Sequence, residues 1–375
     1  MKIYYITNAK IPTEKAHGLQ IAKTCEALGM LGVEVELIVP SRDNLIEKDI
    51  FEYYKIKNNF KIKYIKSYDW FRWYFVLKGL SFKLQSVFFW QKLKKIKIEK
   101  DGIIYTRTVE VAWLFSKRGY KVFYEAHVWP GSKIKLFKNM LADVDGIIAN
   151  SKGTVDKFRE NGFENILVAS NGVDLDKFKL NKIKKELRQE LDLSIDKKIV
   201  MYVGHLYKWK GVDLLIEVAD NLKAKKDIMF VLVGGTRNDE EKYKKIVGGR
   251  TLENFFVLGY KPTEKIPNYL MAADVLVLPN IPITEESKYY TSPIKMFEYM
   301  ASRTPIVAAD LESIGEILNK NNAILFKAGD VEDLEEKIKL ALKNNMVSKT
   351  ERAGEDVKEF TWQKRAQKII EFIDK

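Results

Sequence analysis

Residues 198–235 read KIVMYVGHLYKWKGVDLLIEVADNLKAKKDIMFVLVGG. KIVMYVG is a short apolar run ending in Gly204 and reads as a strand. GVDLLIEVADNL reads as a helix and DIMFVLVGG as the next strand. Parallel strands need a crossover, usually a helix, so this stretch predicts a β–α–β unit of a doubly wound sheet. Downstream the alternation continues through FFVLGY, a helix through Tyr269, DVLVLP, a helix over 292–302, the strand PIVAA and AILF. Upstream, KIYYIT is followed by a loop from Asn8 to His17 and by Ile21, Cys25 and Leu28 at helical spacing. VEVELIVP then closes at Pro40, and further strands are expected at 62–66, 102–105, 121–124 and 145–149. The chain thus divides into two α/β blocks, 1–180 and 181–357, with the boundary inside a Lys-rich segment at 177–197. A last helix, about 350–374, carries Trp362 and an apolar stripe that could cover either block, with 358–375 a candidate to pack back on the first.

Composition narrows the function. With 375 residues and 46% hydrophobic side chains, the chain has material for two packed cores. The single cysteine, Cys25, excludes an internal disulfide framework and any multi-cysteine metal site. Three histidines leave little for a His-rich metal centre. The net charge of +13 favours polyanionic partners: nucleic acid, an anionic membrane or phosphorylated substrates. MKIYYITNAK runs straight into a strand, with no charged n-region before an apolar h-region, which predicts a cytoplasmic protein. Segment 61–100 holds eleven Lys and Arg against Asp69 and Glu99, which is +9 of the +13, together with Trp70, Trp73 and Trp90. Basic plus aromatic is the composition of an interfacial segment, so an anionic membrane surface is an expected partner. Trp70, Trp73, Leu77, Leu80, Leu84 and Val87 also recur at spacings of three and four, as in a helix face covering a core.

In open α/β sheets ligands bind at the carboxyl ends of the strands. All three histidines follow expected strands: His17, His127 after KVFYEA, and His205 after IVMYVG. Gly18 stands before the first helix, where a glycine lets phosphate approach backbone N–H groups; taken alone, a plain turn glycine is the commoner reading. Neither G-x-G-x-x-G nor a P-loop pattern is present, so dinucleotide and P-loop readings lose their support. Lys210 precedes a helix and is a candidate to neutralise a diphosphate leaving group. In TSPIKMFEYMASRTPIV, Thr291 and Ser292 are N-cap types, Pro293 suits the first turn, and Glu298 is placed to accept hydrogen bonds from a ribose. Two D-x-D strings, Asp143–Asp145 and Asp174–Asp176, lack a third ligand and are discounted as metal sites.

The ordered set of YEAH ending at His127, ANS at 149–151, SNGVDLDKF at 170–178, the loop ending at Lys210, ADVLVLP and SPIKMFEYMASRTPIVAAD resembles glycosyltransferase family four. The resemblance covers nearly the whole chain. It implies a GT-B fold, two Rossmann-like domains facing a cleft, and a retaining transferase that uses a nucleotide-sugar donor with no essential metal or other cofactor. It implies that the C-terminal block holds the nucleotide and the N-terminal block the acceptor, a sugar or lipid-linked hydroxyl. Gly18 would give its N–H to the donor phosphate and His127 would bond the donor sugar near the reacting centre. Lys210 would stabilise the leaving diphosphate, Glu298 would hold the ribose, and the Ser292–Pro293 turn would bind phosphate. Two positions depart from the family pattern: Tyr290 stands where the first of two spaced glutamates is usual, and His205 where arginine is usual. These changes bear on sugar identity more than on reaction type, and the resemblance implies surface polysaccharide or glycolipid synthesis, expected on the inner face of a membrane. The rivals are a nucleotide-sugar epimerase, a phosphorylase (for which no pyridoxal lysine is identified), a non-catalytic relative, and a nucleic-acid-binding protein, for which no motif is visible.

Overall fold

The computed structural model describes residues 1–66 and 79–375. The chain forms two compact units. The first comprises Met1–Asn150, Thr154–Ser170 and Trp362–Lys375, and the second Ser151–Gly153 and Asn171–Thr361. The crossover therefore falls at 170–171, about ten residues before the boundary expected from the Lys-rich segment.

The first unit is built on a seven-stranded sheet: β1 (Lys2–Ile6), β2 (Glu34–Ser41), β3 (Lys61–Lys66), β4 (Ile103–Thr106), β5 (Val122–Ala126), β6 (Gly146–Ala149) and β7 (Ile166–Val168). Its order is β3-β2-β1-β4-β5-β6-β7, with every pairing parallel. The second sheet has β8 (Lys198–Val203), β9 (Ile228–Val233), β10 (Phe255–Gly259), β11 (Val275–Leu278), β12 (Ile306–Asp310) and β13 (Ile324–Lys327). It runs β10-β9-β8-β11-β12-β13, again all parallel. Helices cover both faces of such a sheet, so its central strands are apolar throughout: β9, IMFVLV, is buried at every position. In each sheet the strand order reverses beside the first strand of the unit. That creates crevices between β1 and β4 and between β8 and β11, where ligands bind in doubly wound folds.

The expected single last helix is two. Val347–Asp356 ends in a short 3-10 turn over Val357–Glu359, and a second helix runs Trp362–Ile373. The break falls where the chain leaves the second unit for the first. Trp362–Ile373 packs on the first helix, Ala16–Met30, and buries Trp362, Arg365, Ala366, Ile369 and Ile373. Phe372 lies against Gly146, where an added Cβ would come within 2.8 Å of the ring.

The stripe expected along 61–100 falls partly on 67–78, outside the described residues. In the helix Gly79–Leu93, the buried positions among the described side chains are Ser81, Gln85, Phe89 and Leu93. Leu80 and Val87 are exposed, so the core-facing side is displaced by one position from the expected stripe. Ser81, Gln85, Phe89 and Leu93 recur every four residues, and two of them are polar, which hid this face from an apolar-periodicity reading.

Candidate active site

In the first unit, the carboxyl end of β5 delivers Glu125 and His127 beside the crevice between β1 and β4. Glu125 is a carboxylate inside an apolar strand, fully buried and fully engaged. It accepts hydrogen bonds from Tyr5 Oη at 2.7 Å, Gln20 Nε2 at 2.5 Å and Arg365 Nη2 at 2.5 Å. Arg365 also donates to Thr24 Oγ1 at 3.0 Å, and Gln20 Oε1 accepts from Arg107 at 2.8 Å. Burial alone would push the Glu125 carboxyl up, but the charge of Arg365, with His127 and Arg107, holds it well below the usual carboxylate range.

His127 Nε2 stands 3.3 Å from Glu125 Oε1, yet among the described residues it makes no hydrogen bond of good geometry. Burial, reinforced by the charge of Arg107, pushes its pKa down to about 4, while Glu125 pulls the other way. The imidazole is therefore neutral near pH 7, suited to hydrogen bonding a hydroxyl rather than to pairing with an anion.

His17 and Gly18 are in the first turn of Ala16–Met30, not in the loop before it. The Gly18 N–H is donated to the Lys15 carbonyl at 2.9 Å. Glycine is required there on packing grounds. A Cβ would fall 2.0 Å from Tyr54 Oη, which ties the preceding loop by donating to Thr13 O and accepting from Thr13 N, both at 2.8 Å.

In the second unit, the loop after β8 carries His205 and Lys210. His205 stacks on Tyr207 and Tyr207 on Trp209. Lys210 ends a 3-10 turn over Lys208–Lys210, and its ammonium lies 3.5 Å from the centre of the Trp209 ring. Gly211, at φ 69°, then opens the helix Val212–Asn221. A Cβ on Gly211 would fall 1.7 Å from the Pro279 carbonyl, so glycine lets the loops after β8 and β11 close on each other at the strand-order reversal. The next residue, Asn280, is fully buried, and among the described residues neither its amide oxygen nor its nitrogen has a hydrogen-bond partner.

Lys210 is buried, and burial pushes its pKa down to about 7. Glu298, on the helix Ile294–Ala301, is pushed up to about 7 by burial. Between them lies a residue the sequence reading missed. Lys295 is buried and donates to Tyr202 Oη at 2.7 Å; burial and the charge of Lys210 hold its ammonium well below the usual lysine range. A lysine three residues before a glutamate on a helix reads as a surface ion pair, which concealed it. Among the described residues neither Lys210 nor Lys295 has a carboxylate within 4.0 Å.

The turn before this helix differs from expectation. Pro293 is the N-cap and Ile294 the first helical residue. The Ser292 hydroxyl does not cap the helix; it accepts from the Asn171 N–H at 3.3 Å, and the Ser292 carbonyl accepts from Asn171 Nδ2 at 2.6 Å. Tyr290 is buried, and its hydroxyl lies 3.4 Å from Glu285 Oε2. The D-x-D strings are engaged elsewhere: Asp143 pairs with Lys117, Asp145 accepts the Val122 N–H, and Asp176 pairs with Lys179.

The sequence model described as "Glycosyl transferases group 1" matches residues 183–360, and that described as "Glycosyltransferase Family 4" matches residues 19–177. The chain belongs to the family-four glycosyltransferases. This glycosyltransferase is 24% identical to the putative teichuronic acid biosynthesis glycosyltransferase TuaC of Bacillus subtilis over 63% of its own length and 56% of that relative. It is 26% identical to an uncharacterized glycosyltransferase of Methanocaldococcus jannaschii over 76% of its own length and 78% of the other. Among solved structures, Anabaena HepE in complex with UDP superposes with a TM-score of 0.75 at 18% identity, covering 100% of both chains. The GT-B fold follows from that likeness together with the two parallel sheets. No helix among the described residues is long and apolar enough to cross a membrane.

Proposed function

We propose that this glycosyltransferase moves a sugar from a nucleotide-sugar donor to an acceptor hydroxyl with retention of configuration, in cell-surface polysaccharide or glycolipid assembly. The second unit holds the donor, and lysine ammoniums carry the leaving charge without a metal. The observation that carries this reading is the buried Lys210 at the strand-order reversal of the second sheet, which among the described residues has no carboxylate within 4.0 Å. Cleaving the sugar–diphosphate bond develops oxocarbenium character on the sugar and negative charge on the phosphate. An ammonium held in place before that charge appears stabilises the transition state more than the ground state. Glu298, whose carboxyl burial pushes up to about 7, is suited to pairing with ribose hydroxyls. The relative TuaC, named for teichuronic acid biosynthesis, and the UDP bound to HepE support the process and the donor class.

The test is a thermal-shift screen against UDP-, GDP-, ADP-, CMP- and dTDP-sugars. A donor at a hundred times its dissociation constant adds about 2.7 kcal/mol of stability; no response to any of the five would remove the reading. With the donor in hand, His127→Ala is expected to lower turnover by about tenfold or more while nucleoside-diphosphate affinity stays unchanged. A collapse of that affinity would show that His127 has a different role.

A membrane-bound acceptor is part of the same proposal. Leu80 and Val87 are exposed on a helix within the most basic segment of the chain, and Lys94 lies over the Trp90 ring at 3.4 Å. At low salt the protein should co-sediment with anionic vesicles and not with zwitterionic ones. Equal behaviour with both would end the membrane part and leave the transferase reading intact.

A further inference from the structure

We propose that Lys295 is the second cation of the diphosphate site, acting beside Lys210 in the position of charge that the family fills with arginine where this chain has His205. The proposal rests on the donor reading above. Lys295 reaches the carboxyl end of β8 from the helix Ile294–Ala301. Its side chain lies along Gly204: a Cβ built there would fall 3.1 Å from Lys295 Cδ and 3.5 Å from Nζ. The ammonium sits 3.9 Å from the centre of the Tyr202 ring. Tyr202 spends its own proton on the His205 carbonyl at 2.6 Å, so its hydroxyl oxygen receives one N–H of Lys295. Among the described residues the other two ammonium protons have no acceptor.

That arrangement is costly for a ligand-free protein. Burial and mutual repulsion disfavour the charged forms of both lysines, and burial likewise pushes the nearby Glu298 carboxyl up. An uncompensated buried cation is ordinarily strongly destabilising. A dianionic diphosphate at the strand-order reversal satisfies both ammoniums at once and accepts their spare protons. A lysine is a compact point charge on a long stem, so Lys295 reaches this loop from a different element than an arginine at 205 would use.

The test uses the full chain and whichever of UDP, GDP or ADP the wild type binds best, with the parent nucleoside as control. Lys295→Met keeps the stem and removes the charge. It should weaken the nucleoside diphosphate roughly ten- to a hundredfold, as for loss of one charged hydrogen bond, while nucleoside binding by ligand-observed NMR stays within about threefold. The ligand-free melting temperature should hold or rise, because a buried amine whose charged form is disfavoured gives way to an apolar side chain of similar length. Lys295→Arg should recover part of the affinity. Should Lys295→Met fail to fold, Tyr202→Phe removes the one hydroxyl holding the ammonium and should weaken the diphosphate several-fold with the nucleoside unaffected. Unchanged diphosphate affinity in the folded variant, or parallel losses for diphosphate and nucleoside, overturns the role of Lys295. A wild type that binds none of the three diphosphates overturns the donor reading itself, and this proposal with it.

Discussion

Lys210→Ala is expected to reduce turnover on the order of a hundredfold, the usual effect of removing one preorganised stabiliser of leaving-group charge. The effect should appear mainly in kcat, because the ammonium meets its full counter-charge only as the sugar–phosphate bond breaks. Nearly wild-type turnover with a confirmed donor would remove Lys210 from the reaction. The same lysine sets a pH dependence. Burial lowers its pKa to about 7 in the free protein, and a bound diphosphate raises it again. Above about pH 7 the free protein loses this proton while the complex keeps it, so binding takes up a proton. Diphosphate affinity should therefore fall as pH rises from about 7 to 9, by up to about tenfold per pH unit. Lys210→Arg keeps its charge over that range and should make the curve shallower, leaving only the share that Lys295 contributes. A wild-type affinity that is level from pH 7 to 9 would show that the ammonium does not meet the diphosphate.

Arg365→Met should destabilise the first unit by about 3–5 kcal/mol, because it strands the buried Glu125 carboxylate without its cation. Arg365 and Glu125 are both inaccessible to solvent and 2.5 Å apart, in a network that also takes in Thr24, Gln20 and Tyr5. Urea denaturation followed by tryptophan fluorescence reads the loss. The double variant Arg365→Met with Glu125→Gln should recover part of it, since replacing both charges removes the stranded ion. If the single variant costs less than about 1 kcal/mol, the last helix is held by its apolar face alone. His127 reports on the same network. With Arg365 gone and Glu125 intact, one cation opposing its protonation is lost, so its pKa should rise from about 4, which an NMR titration of the imidazole would show.

The two sheets were legible in the sequence because a parallel strand covered on both faces must be apolar along its whole length, and KIVMYV and IMFVLV are. The crevices were legible too, since strand order in a doubly wound sheet places ligands after the strands that carry His127 and Lys210. Turn residues were read less well. Ser292 has the chemistry of an N-cap, but its hydroxyl bonds to Asn171, a partner 121 positions away. Gly18 has the chemistry of a phosphate loop, but its N–H closes a local turn and its missing Cβ makes room for Tyr54. The sequence by itself determined two parallel α/β units and the loops that carry their chemistry, because burial and strand alternation leave a local, periodic trace. Only the tertiary structure decided which charges meet. Arg365 neutralises a glutamate 240 residues earlier, and Lys295 lies beside Tyr202 across 93 residues. A side chain's electrostatic partners depend on distance in space, and no period in the chain records it.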